Sequence, residues 1–351
     1  MQRAFLRRDG LYRRDGLARP PCAAAHLWPF ARALVAMLDL AGVAPSLTRG
    51  AAFDAEAEIA ARLRALERYR DPSSVAYASD VVGRRPRDDV YHDDNAWIGL
   101  ALVQLERLRP GEGALVGASQ LFRHALGGWD RRLDVPSPGG VFWLVQGRGK
   151  GVRNHDRNTV STAPNAALGL HVAQLAPAAR ATAPVGPSQM CEWVHATMRA
   201  QDGLFWDKLR GDGTVDRTVW SYNQGSMVGL HVLLARAQDR RAGTAYIERA
   251  QAIAYAVLAR WAGRWESQPA AFNAICFRNL LLLHHASEDE RLRGEIVSAL
   301  RGYADLLWER RDARGLVSTG RWGAATLLDQ SGLVQVLALL AWDPARWKLL
   351  A

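Results

Sequence analysis

Residues Tyr91–Leu108 read YHDDNAWIGLALVQLERL. Leu100, Val103, Leu105 and Leu108 recur at three- and two-residue steps that together fit a helical turn better than strand alternation. Pro110-Gly111 ends the run, because proline and glycine cannot continue a helix cheaply. A helix over 94–108 follows. The same theme recurs along the chain, and it predicts further helices at 28–42, 53–69, 112–128, 159–175, 187–200, 218–238, 243–262, 269–286, 289–310 and 325–342. Strand-like alternation is confined to short pieces such as Gly140–Val145, and no βαβ rhythm is present.

Helices of similar length joined by alternating short and long connections describe paired hairpins. An open solenoid of such hairpins repeats its own sequence at a fixed period, and none repeats here. The expectation is therefore all-α: an (α/α)6 barrel, a closed toroid of helical hairpins. One helix is missing from an ideal twelve, and the sequence does not say which hairpin is irregular. The long connections 70–93, 129–158, 201–217 and 311–324 are rich in Gly, Asp, Arg and Trp. Loops of this kind, set on a rigid scaffold, commonly carry function.

The composition sets outer limits. The chain has 351 residues, 49% hydrophobic and 23% charged, an ordinary globular profile that excludes a disordered or collagen-like chain. A net charge of +10 invites a nucleic-acid partner. Three of the 45 basic residues are lysines (Lys150, Lys208, Lys348), so 45 − 3 = 42 are arginines, scattered along the chain. That dispersal argues against a phosphate-binding face, and no nucleic-acid partner is expected. The one dense basic cluster, Arg7-Arg8 and Arg13-Arg14, lies in a duplicated RRDGL stretch read as a loosely ordered tail. Cys22, Cys191 and Cys276 form no CxxC pair, so buried free thiols are expected and no metal site. Arg32 and Asp39 interrupt the apolar stretch from Cys22 to Val43. It is too short and too charged for a membrane span or signal peptide and reads as an amphipathic helix, with a cytoplasmic location as the default.

Two adjacent carboxylates, Asp93 and Asp94, precede the helix at 94–108. One reading is capping, since Asp accepts orphan N–H bonds and suits the helix dipole. A cap needs one Asp, and Asp88-Asp89 already lies upstream. The other reading is glycoside cleavage with retention, which needs two carboxyl groups about 5–5.5 Å apart. Neighbouring residues on a helix diverge by about 100°, and two short Asp side chains so placed reach roughly that separation.

The segment YHDDNAWIGLAL resembles the signature of glycoside hydrolase family 76, the endo-acting α-1,6-mannanases. Further blocks match in order: Gly139–Trp143, Asn158–Pro164, Gly203–Asp207, Trp220–Gly225 and Leu327–Gln330. Together they cover roughly residues 55 to 343. The resemblance implies an (α/α)6 barrel, with residues 51–345 as the catalytic domain and 1–50 as an N-terminal extension carrying one amphipathic helix. It implies Asp93 as nucleophile and Asp94 as general acid/base, α-mannan or a manno-oligosaccharide as substrate, and no metal or organic cofactor. Trp143 and Trp220 are candidates for stacking on sugar rings. Asn158, Ser161, Tyr222, Asn223 and Gln224 offer amide and hydroxyl groups to sugar hydroxyls, although Asn158 and Ser161 could equally cap a helix. Trp97 is expected to pack behind the Asp pair, and Trp308, Trp342 and Trp347 in the core. Asp207 and Asp329 read as loop ties. The chain departs from the family pattern at Ile98, where a second aromatic is usual after Trp97, and at His92. The rival readings are a non-catalytic carbohydrate-binding toroid and a sugar epimerase or isomerase on the same fold.

Overall fold

Apolar spacing places eleven helices, and the computed structural model contains each of them with no end moved by more than three residues. They are α1 (Leu27–Gly42), α2 (Ala55–Leu66), α3 (His92–Leu108), α4 (Ala114–Gly127), α5 (Thr159–Leu175), α6 (Pro187–Met198), α7 (Ser221–Ala237), α8 (Arg240–Trp261), α9 (Ala270–Ala286), α10 (Glu290–Glu309) and α11 (Leu327–Ala341). The structure describes residues 1–14, 23–43, 54–82, 89–111, 113–177, 185–318 and 325–351. Cys22 lies outside them, as does the boundary expected at residues 50 and 51.

Burial sorts the helices into two rings. In α7, 14 of 17 residues are buried. In α10 only 6 of 20 are, at Leu292, Ile296, Leu300, Tyr303, Ala304 and Leu307. A helix buried all round belongs inside, and one with a single apolar stripe belongs outside. The odd-numbered helices pack side by side in the order α1, α3, α5, α7, α9, α11 and back to α1. The even-numbered ones lie against them as the outer layer, so the all-α toroid expected from the sequence is the fold.

Close approach within the inner ring depends on glycine. A Cβ on Gly225 of α7 would stand 2.5 Å from the Cα of Cys276 in α9, and one on Gly332 of α11 would stand 2.5 Å from the carbonyl carbon of Ala270. Both neighbours are backbone atoms, which cannot rotate aside. The poor helix former in the Tyr222–Gly225 block is thus explained by packing.

The helix expected in an N-terminal extension is part of the ring. Thirteen of the 16 residues of α1 are buried, so it is not amphipathic. Its two charges are answered inside the protein: Arg32 bonds Gln335 of α11, and Asp39 pairs with Arg278 of α9. Arg278 also donates to Gln104 of α3 and to the carbonyl of Ala351. Buried charges are retained only where such partners exist. The residues read as a loose tail are also packed, with Phe5, Leu11 and Tyr12 almost fully buried. Among the described residues no long outer helix stands between α11 and α1, and the N-terminal segment contributes a single helical turn, Gln2–Phe5. It lies there instead, with Gln2 bonding Met37 and Glu58, and Ser331 reaching Met1.

Trp342 and Trp347 are buried as expected. Trp308 is not: it is 53% exposed on the outer face of α10, with the Arg311 guanidinium over its ring. The outer ring has no further layer to cover it. A small antiparallel sheet, β1 (Arg157–Asn158), β2 (Lys208–Leu209) and β3 (Val215–Asp216), was not legible, because two-residue strands carry no alternation.

Gly225→Ala should lower stability by about 2 kcal/mol, the cost of overpacking a filled interior. Gly294→Ala, on the exposed face of α10 with open space around it, should raise stability by about 0.5–1 kcal/mol through helix propensity. Urea denaturation midpoints of the two variants check the contrast.

Candidate active site

A cleft of about 890 Å³ opens at one end of the toroid. Its lining includes Trp28 and Pro29 of α1, Asp93, Asp94 and Trp97 of α3, Val160 of α5, Tyr222 of α7, Phe272 of α9 and Leu328 of α11. Each lies in the first turn or two of its inner helix. Six helix N-termini therefore converge on one cavity, and each brings the partial positive charge of its dipole. The capping pattern fits this. Outer helices α2, α8 and α10 begin with Asp caps at Asp54, Asp239 and Asp289. Of the inner helices only α11 has a side-chain cap, the box between Thr326 and Asp329. Asp329 is thus a helix tie, as read.

Asp93 and Asp94 sit half-buried on the first turn of α3, at the cleft floor. The Asp94 backbone N–H donates to Asp93 Oδ1 at 3.0 Å, and the Trp143 indole N–H donates to Asp93 Oδ2 at 3.1 Å. Burial pushes the Asp93 carboxyl up to about 7, against these two bonds, which favour its anion. Asp94 is raised well above the ordinary carboxylate range, by burial first and by the Asp93 charge second. Among the described residues no comparable hydrogen bond holds the anion of Asp94. Asp93 is therefore the group that ionises first, and Asp94 the one that keeps its proton.

Trp143 lines the cleft as expected and has a further bond that its sequence position did not announce. Its segment pairs with the start of α3, through a bridge from Tyr91 to Leu144 and the His92 N–H donating to the Trp143 carbonyl at 2.9 Å. That backbone tie aims the indole at Asp93. Tyr91 packs against its ring at 5.0 Å between centroids, and the Lys208 ammonium lies 5.1 Å from the ring centroid. Trp143 lines the cleft, but its polar edge serves the carboxylate.

Tyr222 also lines the cleft, and its hydroxyl donates to Asp207 Oδ1 at 3.4 Å. Asn223 Nδ2 donates to the same oxygen at 3.2 Å. Asp207, read as a loop tie, is a third carboxylate beside the pair: its charge acts on Asp93, and burial lifts its own pKa. The edge of the sheet holds it there, since the Asp207 N–H donates to the Asp216 carbonyl and its own carbonyl accepts from the Thr159 N–H at the start of α5.

Other expected contacts are structural. Gln224 is fully buried: its Oε1 accepts from the Phe205 N–H at 2.8 Å, and its Nε2 donates to the Phe205 and Trp220 carbonyls. It has no group left for a sugar. Trp220 packs edge-on against Phe272, outside the cleft lining. Asn158 and Ser161 are buried, and neither side chain caps α5. Asn158 Oδ1 and Ser161 Oγ have no hydrogen-bond partner, and Val160 between them faces the cleft. His92 and Ile98, the two departures from the family pattern, are buried in the wall. Burial holds the His92 imidazole neutral, down to about 3. Trp28 and Phe272 were missed, because an aromatic in the first turn of an apolar helix carries no signal of its own.

The cleft lining also holds two polar pairs. The Lys150 ammonium lies 3.3 Å from Asp89, and His26 lies 2.6 Å from Asp80.

Comparison with known proteins follows from this geometry. The model of glycosyl hydrolase family 76 matches residues 22–341. No curated protein sequence matches the chain. Among solved structures, a family 76 glycoside hydrolase from a bovine Bacteroides thetaiotaomicron strain is 20% identical with a TM-score of 0.79, covering 97% of this chain and 75% of that one. The α-1,6-mannanase of Salegentibacter sp. HEL1_6 is 18% identical with a TM-score of 0.73, covering 97% and 95%. That structure is an inactive variant with two adjacent aspartates changed to asparagine, in complex with α-1,6-mannotriose. Dfg5 from Chaetomium thermophilum, in complex with glucosamine, is 14% identical with a TM-score of 0.62, covering 95% and 83%.

Trp143→Phe removes a donor that favours the Asp93 anion, so the Asp93 pKa rises. If Asp93 must be ionised for turnover, the acid limb of the kcat/KM profile should move up by about one pH unit, since one unit corresponds to about 1.4 kcal/mol. An unmoved limb would separate Trp143 from the ionisation of Asp93.

Proposed function

The chain belongs to glycosyl hydrolase family 76 and is a glycoside hydrolase, and we propose that it cleaves α-1,6-mannosidic linkages with retention of configuration. The observation that carries the reading is the split environment of two adjacent carboxyls at the cleft floor. Paired carboxyls whose environments push their proton affinities apart are suited to one nucleophile and one acid.

In the proposed reaction Asp93, ionised, attacks the anomeric carbon while Asp94 gives its proton to the departing glycosidic oxygen. A glycosyl ester on Asp93 results, and Asp94 is now an anion. Asp94 then takes a proton from an incoming water, whose oxygen attacks the same carbon and releases Asp93. Two inversions leave the configuration unchanged. The N-termini of the inner helices that converge on the cleft favour the anion in each step. Asp207, held by Tyr222 and Asn223, stands beside the pair as a candidate acceptor for a sugar hydroxyl.

The α-1,6 linkage is supported by the Salegentibacter mannanase, whose fold this chain shares and whose inactive variant lacks two adjacent aspartates. A non-catalytic carbohydrate-binding toroid has no need of the paired carboxyls. An epimerase or isomerase would require histidine bases near the axis, and among the described residues the one histidine that lines the cleft, His26, is tied to Asp80.

Digestion of α-1,6-, α-1,2- and α-1,3-linked mannans by the wild type tests the linkage, and cleavage of the α-1,6 polymer alone or foremost is expected. Asp93→Asn should lower the rate at least 10³-fold on every substrate. Asp94→Asn should lower it about 10²- to 10⁴-fold on mannan. It should lose far less on an aryl α-mannoside whose leaving group needs no proton. Wild-type rates in either variant would overturn the assignment.

A further inference from the structure

Away from the cleft, α6 and α7 bring together three groups that no feature of the glycosidase uses. Cys191 and His195 lie one turn apart on α6, and His231 faces them from α7. Their sulfur and nitrogen atoms all lie within 4.8 Å of one another. His195 Nε2 is 2.8 Å from His231 Nε2, and Cys191 Sγ is 3.9 Å from His231 Nε2. Cys191 and His231 are fully buried, and none of the three lines the catalytic cleft.

The tautomer of His231 is fixed by its other nitrogen. Nδ1 lies 2.6 Å from the Met227 carbonyl, which can only accept, so Nδ1 carries the proton. Nε2 is then a bare lone pair aimed at the other two groups. A backbone carbonyl on the far nitrogen is the usual way a protein orients a ligating histidine. Two imidazoles and a thiol are the donors that borderline-soft divalent ions prefer, and two ligands at i and i+4 share one helix face.

We propose that Cys191, His195 and His231 bind one zinc ion, joining the outer helix α6 to the inner helix α7. Zinc bonds of about 2.0–2.3 Å in a tetrahedron set ligand atoms about 3.3–3.6 Å apart. The two nitrogens need to open by about half an ångström, and the sulfur needs to close by a few tenths on His231 and by up to about an ångström on His195. On binding, the Cys191 thiol gives up its proton to solvent, and the proton of His195 resides on Nδ1, leaving Nε2 to ligate. The fourth position is left for water.

The rest of the surroundings agree with a structural role. The His195 ring meets Phe205 edge-on at 5.1 Å. Phe205 is the residue whose backbone Gln224 clamps, two positions before Asp207. The site thus stands behind the loop that delivers Asp207. The simplest competing account is a lone hydrogen bond between two neutral imidazoles, which would leave the third donor and its convergence unexplained.

The test uses the full-length protein stripped of metal with a chelator, then titrated with Co2+ and afterwards with Zn2+. Expected are one equivalent of Co2+ with tetrahedral visible bands and a thiolate-to-cobalt charge-transfer band, and full displacement by Zn2+. Saturating Zn2+ should raise Tm by roughly 5 °C. Cys191→Ser should lose the charge-transfer band, and His195→Gln, half-exposed and so milder to the fold, should weaken binding at least 10-fold. Neither variant should show the full rise in Tm, and a metal-free Tm equal to that of the metal-free wild type verifies that each is folded. No cobalt spectrum in the wild type, or a charge-transfer band that survives in Cys191→Ser, would overturn the proposal.

Discussion

Two carboxyls one residue apart, in a cleft that withdraws them from water, cannot both hold a charge cheaply. Burial raises each, and the first to ionise raises the second further. What surrounds Asp93 and Asp94 decides which is first. The Asp94 N–H and the Trp143 indole both donate to Asp93, while Asp94 meets burial and the charge of its neighbour. A small difference in hydrogen bonding is enough to divide the pair into an anion and an acid.

The toroid supplies the rest of that environment. Closing the ring sends the N-termini of α1, α3, α5, α7, α9 and α11 to the same end, so their dipoles sum where the anion forms. Three of the five outer helices cap themselves, with Asp54, Asp239 and Asp289, whereas inner helices mostly lack a side-chain cap. Glycines at 225 and 332 let the inner helices come close enough for this convergence. The requirement of ring closure also explains α1, whose charged residues Arg32 and Asp39 find partners on α11 and α9 rather than in solvent.

Much of this was legible in the sequence, because apolar spacing is set by burial and burial by the ring. The spacing located the eleven helices of the two rings, and the Asp93-Asp94 step named the centre. What was not legible depends on tertiary neighbours. Trp143 looked like a sugar platform, and only the backbone tie between its segment and α3 turns its N–H onto Asp93. Gln224 looked like a ligand, and it is a clamp on Phe205. Asp207 looked like a loop tie, and a sheet of two-residue strands carries it to the pair. Trp308 looked like core, since nothing in a sequence distinguishes the covered face of an outer helix from its bare one. Cys191 and His195 stand four apart, yet His231 completes their cluster from 36 residues further on.

The central claim is that Asp93 acts as nucleophile and Asp94 as acid/base, and the stereochemistry of the first product tests it most directly. Proton NMR during early digestion of an α-1,6-linked manno-oligosaccharide reads the reducing-end anomer before mutarotation scrambles it. The account predicts that the α anomer appears first and the β anomer grows in later. A β anomer released first would mean direct attack by water and would contradict it.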